Sequence, residues 1–280
     1  MKWIPTPGTP VLTATKHGKD RYLGQVFSQR WGISLRAAGI DTDLLGTFSG
    51  EVPRPGDVRT TLRRKVEMAQ ATDASADCIV ATEGSFGPDP VLGWIPLHEE
   101  VLLWAWPKLG KELFVAHRSH DTNFSSCQEP DFAAVRRWAE RVGFPSAHLI
   151  VRRADGTVLA KGLNDPTELE RLWRETSAAH GTPSLETDMR ADRNPRRQEA
   201  LRALAHKTME ALEAHCPSCG FPGFVPRPAS PGAPCRACGA PTRLPRELRA
   251  ECPECHAAQS RESPHQIQGV DPGQCDRCNP

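Results

Sequence analysis

The chain has 280 residues, with 35 basic side chains against 34 acidic ones and a formal net charge of +1. That length is enough for one sizeable core and a smaller companion unit, and the balanced charge excludes a dominant electrostatic partner such as nucleic acid or an anionic membrane. Met1-Lys2-Trp3-Ile4-Pro5 lacks the apolar core and cleavage site of a signal peptide, and the longest strongly apolar run, Val101 to Trp106, cannot span a bilayer, so a cytoplasmic protein is expected.

Val11-Leu12-Thr13-Ala14 reads as a first strand. Thr15-Lys16-His17-Gly18-Lys19-Asp20 follows as a loop, then a helix with Leu23, Val26, Phe27 and Trp31 on one face and Gly32 as its stop. Strand, glycine-containing loop and helix together aim backbone N–H groups at an anion, which makes Thr15, Lys16, His17 and Lys19 candidates for substrate binding. Lysines near a helix start oppose the macrodipole by roughly 0.3–1 kcal/mol each; a bound anion would offset that cost, the alternative being a solvated basic loop. Ile33 to Leu35 suggests a second strand. Asp41, Asp43 and Glu51, on a glycine-interrupted loop, are hard oxygen ligands that suit Mg²⁺, although such residues are also ordinary turn formers.

Asp57 is a good N-cap for a helix with Leu62, Val66 and Ala69 inward and Arg63, Arg64 and Lys65 mostly solvated. The organising stretch comes next: an apolar strand from Cys78, ended by Glu83-Gly84-Ser85-Phe86-Gly87-Pro88. In open α/β sheets ligands sit past the carboxyl ends of such strands. Glu83 is therefore the leading catalytic candidate, with Asp41, Asp43 and Glu51, and Ser85 a binding candidate between two glycines. The alternative is a tight turn whose Glu83 caps a helix or pairs with an arginine. An acyl-hydrolase elbow is excluded, because Glu83 occupies its first glycine position and Pro88-Asp89-Pro90 replaces the helix that must follow.

Further strands are expected at Val91–Leu97, Val101–Trp106 and Leu113–Ala116, followed by the polar segment His117 to Asn123, whose Asn123 is another binding candidate. A helix from about Pro130 to Val142 ends at Gly143. Ala147–Arg152 and Val158–Lys161 flank the hairpin signal Asp155-Gly156, and Asp165-Pro166-Thr167-Glu168 is a capping box opening a helix with Leu169, Leu172 and Trp173. This alternation indicates an α/β domain over residues 1–180, built on a mixed or parallel sheet with flanking helices. Residues 181–214 read as a linker and a connecting helix from Asn194-Pro195. Arg196 and Arg197 in its first turn either clamp a substrate anion or pair with acids of the first domain; Arg196 stands among the binding candidates.

Eight of the ten cysteines form four Cys-x-x-Cys knuckles in residues 215–280: Cys216/Cys219, Cys235/Cys238, Cys252/Cys255 and Cys275/Cys278. That spacing presents two thiolates per turn to a tetrahedral ion, so two structural Zn²⁺, each with four sulfurs, are expected in a zinc-ribbon-type module. The linkers permit a sequential pairing (first with second, third with fourth) or an interleaved one, and the sequential is favoured. The module holds seven arginines, no lysines and six acids, which points to a structural cap or protein-binding appendage rather than a phosphate-backbone binder.

Asp41-Thr42-Asp43, Gly46 to Glu51, the Glu83–Pro88 segment, Arg190, Asn194-Pro195 and the cysteine tail together resemble an uncharacterised bacterial family of unknown function. Residues 11 to about 120 also resemble the inosine triphosphate pyrophosphatase-like nucleotide hydrolases, through Thr15-x-x-x-Lys19, Lys65 to Ala69 and Ala76-Asp77 through Glu83-Gly84. That resemblance implies Lys19 on phosphates and Glu83 holding Mg²⁺ or orienting water. The expected function is thus Mg²⁺-assisted hydrolysis of a nucleotide-like or other phosphorylated small molecule. A non-catalytic ligand sensor or scaffold, binding a protein partner through the zinc module, is the alternative.

Overall fold

A computed structural model describes residues 3–45 and 56–280, so Glu51 and the segment Gly46–Pro55 lie outside the described residues. The chain forms two compact units, Pro5–Lys207 and one that joins Met1–Ile4 to Thr208–Pro280.

The larger unit opens with β1 (Pro10–Ala14), α1 (Lys19–Trp31), β2 (Ser34–Ala37), α2 (Val58–Thr72), β3 (Ile79–Pro88), β4 (Pro96–Trp106) and β5 (Lys111–Ser119). These make one mixed sheet in the order β2-β1-β3-β4-β5, parallel around β1 and antiparallel from β3 to β5. The period-two alternation of side chains assigns its faces. Leu12, Ala14, Ile79, Ala81, Leu103 and Ala105 bury against Leu62, Val66 and Ala69 of α2. The opposite face carries Trp104, edge-on to Phe27 of α1 at 5.7 Å between ring centroids. The two crossover helices thus cover opposite faces, and the strand order reverses between the parallel neighbours β1 and β3, β2 being added on one side and β3 on the other.

Glu83 does not end its strand. β3 continues to Pro88, paired throughout with β4, and Glu83 lies mid-strand opposite Val101. It is β1 that stops early, its last partner on β3 being Ala81. Val91 and Trp94, expected at a strand start, sit instead in the β3–β4 turn and are 89% and 81% exposed. Asp89 makes that turn, accepting from the N–H groups of Val91 and Leu92.

A second sheet follows: β6 (Ser126–Cys127), α3 (Phe132–Val142), β7 (Leu149–Arg152), β8 (Val158–Leu163), α4 (Pro166–His180) and β9 (Ser184–Thr187), in the antiparallel order β6-β9-β7-β8. Val135, Trp138 and Leu169 of the two helices share a core with Leu149, Val151 and Leu185. Asp131 and Asp165 cap these helices, and Gly156 turns the β7–β8 hairpin at φ +87°. β9 falls in the stretch read as linker; its pairing with β6 and β7 makes it part of this sheet.

α5 (Pro195–Glu213) carries the boundary between the units. The smaller unit holds a three-stranded antiparallel sheet of β10 (Arg227–Pro231), β11 (Pro245–Glu251) and β12 (Ala258–Glu262), then the single-turn α6 (Pro264–Gln268). Within this unit Trp3 donates from Nε1 to the Gly220 carbonyl at 2.8 Å and packs edge-on against Phe221. Among the described residues no helix is long and apolar enough to cross a membrane.

Candidate functional site

Because β1 ends at Ala14, the Thr82 carbonyl of β3 has no strand partner on that side. Two lysines take it, one from each face of the sheet: Lys19 Nζ of α1 at 3.4 Å and Lys65 Nζ of α2 at 3.1 Å. Lys65 also forms a short ion pair with Glu83. On the α1 face, Glu100 of β4 is fully buried; its Oε1 accepts from Arg197 Nε at 2.7 Å and from His98 Nε2 at 3.1 Å. Its Oε2 has no hydrogen-bond partner and lies 3.7 Å from Lys19 Nζ.

Arg197 is held from several sides. Its backbone N–H donates to Asn194 Oδ1, its Nη1 to the Met189 carbonyl, and its guanidinium lies 5.2 Å from the centroid of Phe86, which stacks on His98 at 4.3 Å. Gly84 makes room for this assembly. It pairs with Glu100 across the β3–β4 ladder, and a Cβ there would stand 2.4 Å from both Arg197 Nη2 and Glu100 Oε1. The glycine is therefore required by side-chain charge passing over the strand, not by a turn.

The electrostatics follow from this packing. Burial pushes the Lys19 ammonium down to about 7, helped by Arg197 and Lys65 and opposed by Glu100. Burial alone would raise the Glu100 carboxyl; Arg197, Lys19 and His98 outweigh it and hold that group well below the ordinary carboxylate range. Among the described residues the cluster holds three cationic side chains, Lys19, Lys65 and Arg197, against Glu83 and Glu100. Both carboxylates already have another partner at hydrogen-bond distance, which leaves Lys19 as the poorly compensated cation.

The other expected site residues fall into two groups. The Thr15–Lys19 loop and Asp41–Asp43 do meet: Lys16 Nζ bridges Asp41 at 2.8 Å and Asp43 at 2.7 Å, and His17 Nε2 is 3.1 Å from Asp43. Thr15 Oγ1 accepts the Lys19 N–H at 3.2 Å. A lysine-neutralised carboxylate pair is a poor seat for Mg²⁺, and among the described residues Asp41, Asp43 and Glu83 form no group that could hold a metal. Asn123 is buried in structural bonds, donating to Val142 O at 2.7 Å and accepting from Asn194 at 2.9 Å. Ser85 alternates with Gly84 and, like Glu83, lies on the sheet face opposite Glu100. Arg196 points to Asp121 at 2.9 Å, and the arginine that enters the cluster is Arg197.

Sequence reasoning missed Glu100, His98 and the burial of Lys65. The signals were present: Glu100 and His98 are in period-two register with Leu102 and Trp104, and Lys65 is three residues from Leu62 and four from Ala69 on the buried face of α2. An open cavity of about 330 Å³ between Val66, Leu103, Ala105 and Trp106 lies at the opposite end of these strands from Lys19.

The cysteines form two groups, Cys216/Cys219/Cys252/Cys255 and Cys235/Cys238/Cys275/Cys278, with ligand atoms within 4.8 Å of one another. The pairing is interleaved, correcting the sequential expectation. The cause is local: β11 and β12 present the third knuckle at their hairpin end, while Val270 bridges back to Pro234 and Arg236 beside the second. Sulfurs lie 3.5–3.9 Å apart across each group, near the edge of about 3.8 Å for a tetrahedron with 2.3 Å metal–sulfur bonds. The N–H groups of Ser218 and Glu254 point at Cys216 and Cys252 sulfurs at 3.4 Å, a thiolate-stabilising arrangement. The two groups could hold two metal ions.

A family model described as "Domain of unknown function (DUF6671)" matches residues 65–280. No curated protein matches the chain. The solved "Crystal structure of protein VC0702 from Vibrio cholerae" aligns at 9% identity and TM-score 0.27, over 48% of this chain and 72% of that one; so low a score bears on neither fold nor function.

Two outcomes follow from the cluster. Gly84→Ala should lower unfolding stability by roughly 1–3 kcal/mol, the overpacking range, read from the denaturant midpoint at constant m. Lys19 binds its proton less tightly folded than unfolded, so its burial costs most below pH 7 and the cost fades as pH rises toward 10.5. Lys19→Met should accordingly be more stable than the parent by up to a few kcal/mol at pH 6, with the gain shrinking at pH 9.5; an equal gain at both pH values would contradict this assignment.

Proposed function

We propose that this chain, which belongs to the DUF6671 family of unknown function, binds a small molecule through a phosphate or equivalent anionic group beyond the carboxyl end of β1. The observation that carries the reading is the buried excess of cations: Lys19, Lys65 and Arg197 converge on the β1–β3 switch point, with two carboxylates already engaged there. A site whose buried lysine faces only a carboxylate already bonded to an arginine is costly unless an anion completes it. The switch point is also where open α/β sheets take their ligands.

Hydrolysis is the finer form of this reading. It requires Glu83 to leave Lys65, so that the carboxylate orients water while Lys65 and Lys19 neutralise phosphate charge. A divalent ion, if used, would come with the substrate phosphates. A screen of nucleotides, sugar phosphates and inorganic phosphate, with and without Mg²⁺, tests both levels. A ligand at 100 times its Kd should raise stability by about 2.7 kcal/mol, and Lys19→Met should lose that response. Turnover abolished by Glu83→Gln supports the hydrolase; stabilisation without phosphate or pyrophosphate release makes the protein a ligand sensor. No response to any phosphorylated compound would sink the anion reading itself.

We further propose zinc as the metal of the cysteine module, since four thiolates at tetrahedral spacing suit Zn²⁺ and leave no open position for catalysis. Elemental analysis should find about two zinc ions per chain. The interleaved pairing predicts a sharper result: Cys216→Ser with Cys252→Ser removes one ion, because both belong to the same group, whereas Cys216→Ser with Cys235→Ser removes two. The reverse pattern would restore the sequential pairing.

A further inference from the structure

Resting on the anion reading, the geometry points to Lys19 as the residue that couples binding of an oxyanion, such as a phosphoryl group, to proton uptake from solvent as the ligand enters. An ammonium has three N–H donors. Lys19 is buried, and among the described residues its one hydrogen-bond acceptor is the Thr82 carbonyl at 3.4 Å and the nearest carboxylate oxygen, Glu100 Oε2, stands at 3.7 Å. Two buried donors thus lack acceptors in the charged form, whereas a neutral amine has fewer donors to satisfy. The groups facing Lys19 do not change this balance: Glu100 on β4 is bonded to Arg197 of α5, and Glu83 on β3 is paired with Lys65 of α2. The downward push on the Lys19 ammonium agrees with that hydrogen-bond inventory.

An oxyanion supplies the missing acceptors and charge together. With Lys19 neutral the cluster holds two cations and two carboxylates; protonation adds one positive charge. An anion compensates that charge, so binding at Lys19 and proton uptake are coupled.

Calorimetric titration of the full chain with sulfate, a dianion that does not itself titrate near neutrality, and with inorganic phosphate tests this. At pH 8, in two buffers of different ionisation enthalpy, about one proton should be taken up per sulfate bound, and affinity should fall about tenfold per pH unit above neutrality. Lys19→Arg, permanently charged, should bind sulfate with no proton uptake and a flat pH profile; Lys19→Met should not bind it. Sulfate or phosphate binding to the parent chain without proton uptake, or with the same pH profile in Lys19→Arg, overturns the inference and leaves the anion site standing. Absence of binding by both ions at millimolar concentration overturns both. Because proton uptake is measured on the parent chain, the result does not depend on the variants folding.

Discussion

The Arg197–Glu100 ion pair, seated on the bare backbone of Gly84, is the constraint on which the larger unit depends. A buried carboxylate is tolerable only if its partners are fixed in place, since removing one partner leaves a charge whose desolvation is uncompensated, at a cost of roughly 3–5 kcal/mol. Here the partner comes from the first turn of α5, and that turn is held by Asn194 and by the Met189 carbonyl, just beyond β9. One guanidinium therefore ties together the first sheet, the second-sheet segment and the helix. Its cost in substitution freedom is borne at Gly84, where any side chain would collide with both members of the pair.

The same arrangement explains the character of the cluster around Lys19. Arg197 satisfies Glu100 and Lys65 satisfies Glu83, so among the described residues no carboxylate remains to compensate Lys19 at hydrogen-bond distance. Folding thus carries an electrostatic penalty at the point where the parallel part of the sheet ends. Penalties of this kind are common where a site is shaped for something other than stability. The early end of β1 is what creates it: a longer β1 would have occupied the Thr82 carbonyl with a ladder hydrogen bond and closed the space into which both lysines reach.

The cysteine module solves a different problem. It is short, its β12 is exposed along its length, and its few buried apolar side chains, Phe221, Ala233, Ala250 and Val270, are mostly small. So small a segment cannot gain enough from apolar burial alone; metal–thiolate bonds can supply folding free energy directly. Interleaving the two groups makes each cross-link span the other, so neither half of the module can loosen without affecting the second.

Composition, periodicity and spacing by themselves determined the five longer helices, the Asp57 and Asp165 caps, the Asp155-Gly156 hairpin, the mixed α/β character and the existence of two four-cysteine groups, because each of these depends on residues close in the chain. They also singled out the Glu83–Pro88 segment and Lys19, though for a partly mistaken reason: the pattern suggests a strand end at Glu83 with Gly84 admitting a ligand, whereas Gly84 is a strand glycine beneath an ion pair. What only the tertiary structure decided is which charges meet. Glu100 and Arg197 are 97 residues apart, Lys65 and Glu83 come together through a crossover, and the second and fourth cysteine knuckles pair across the third. Such pairings depend on strand order and on where β1 stops. Local sequence does not encode either, because the same alternation of apolar residues is compatible with several sheet orders, and only burial of the whole unit selects one.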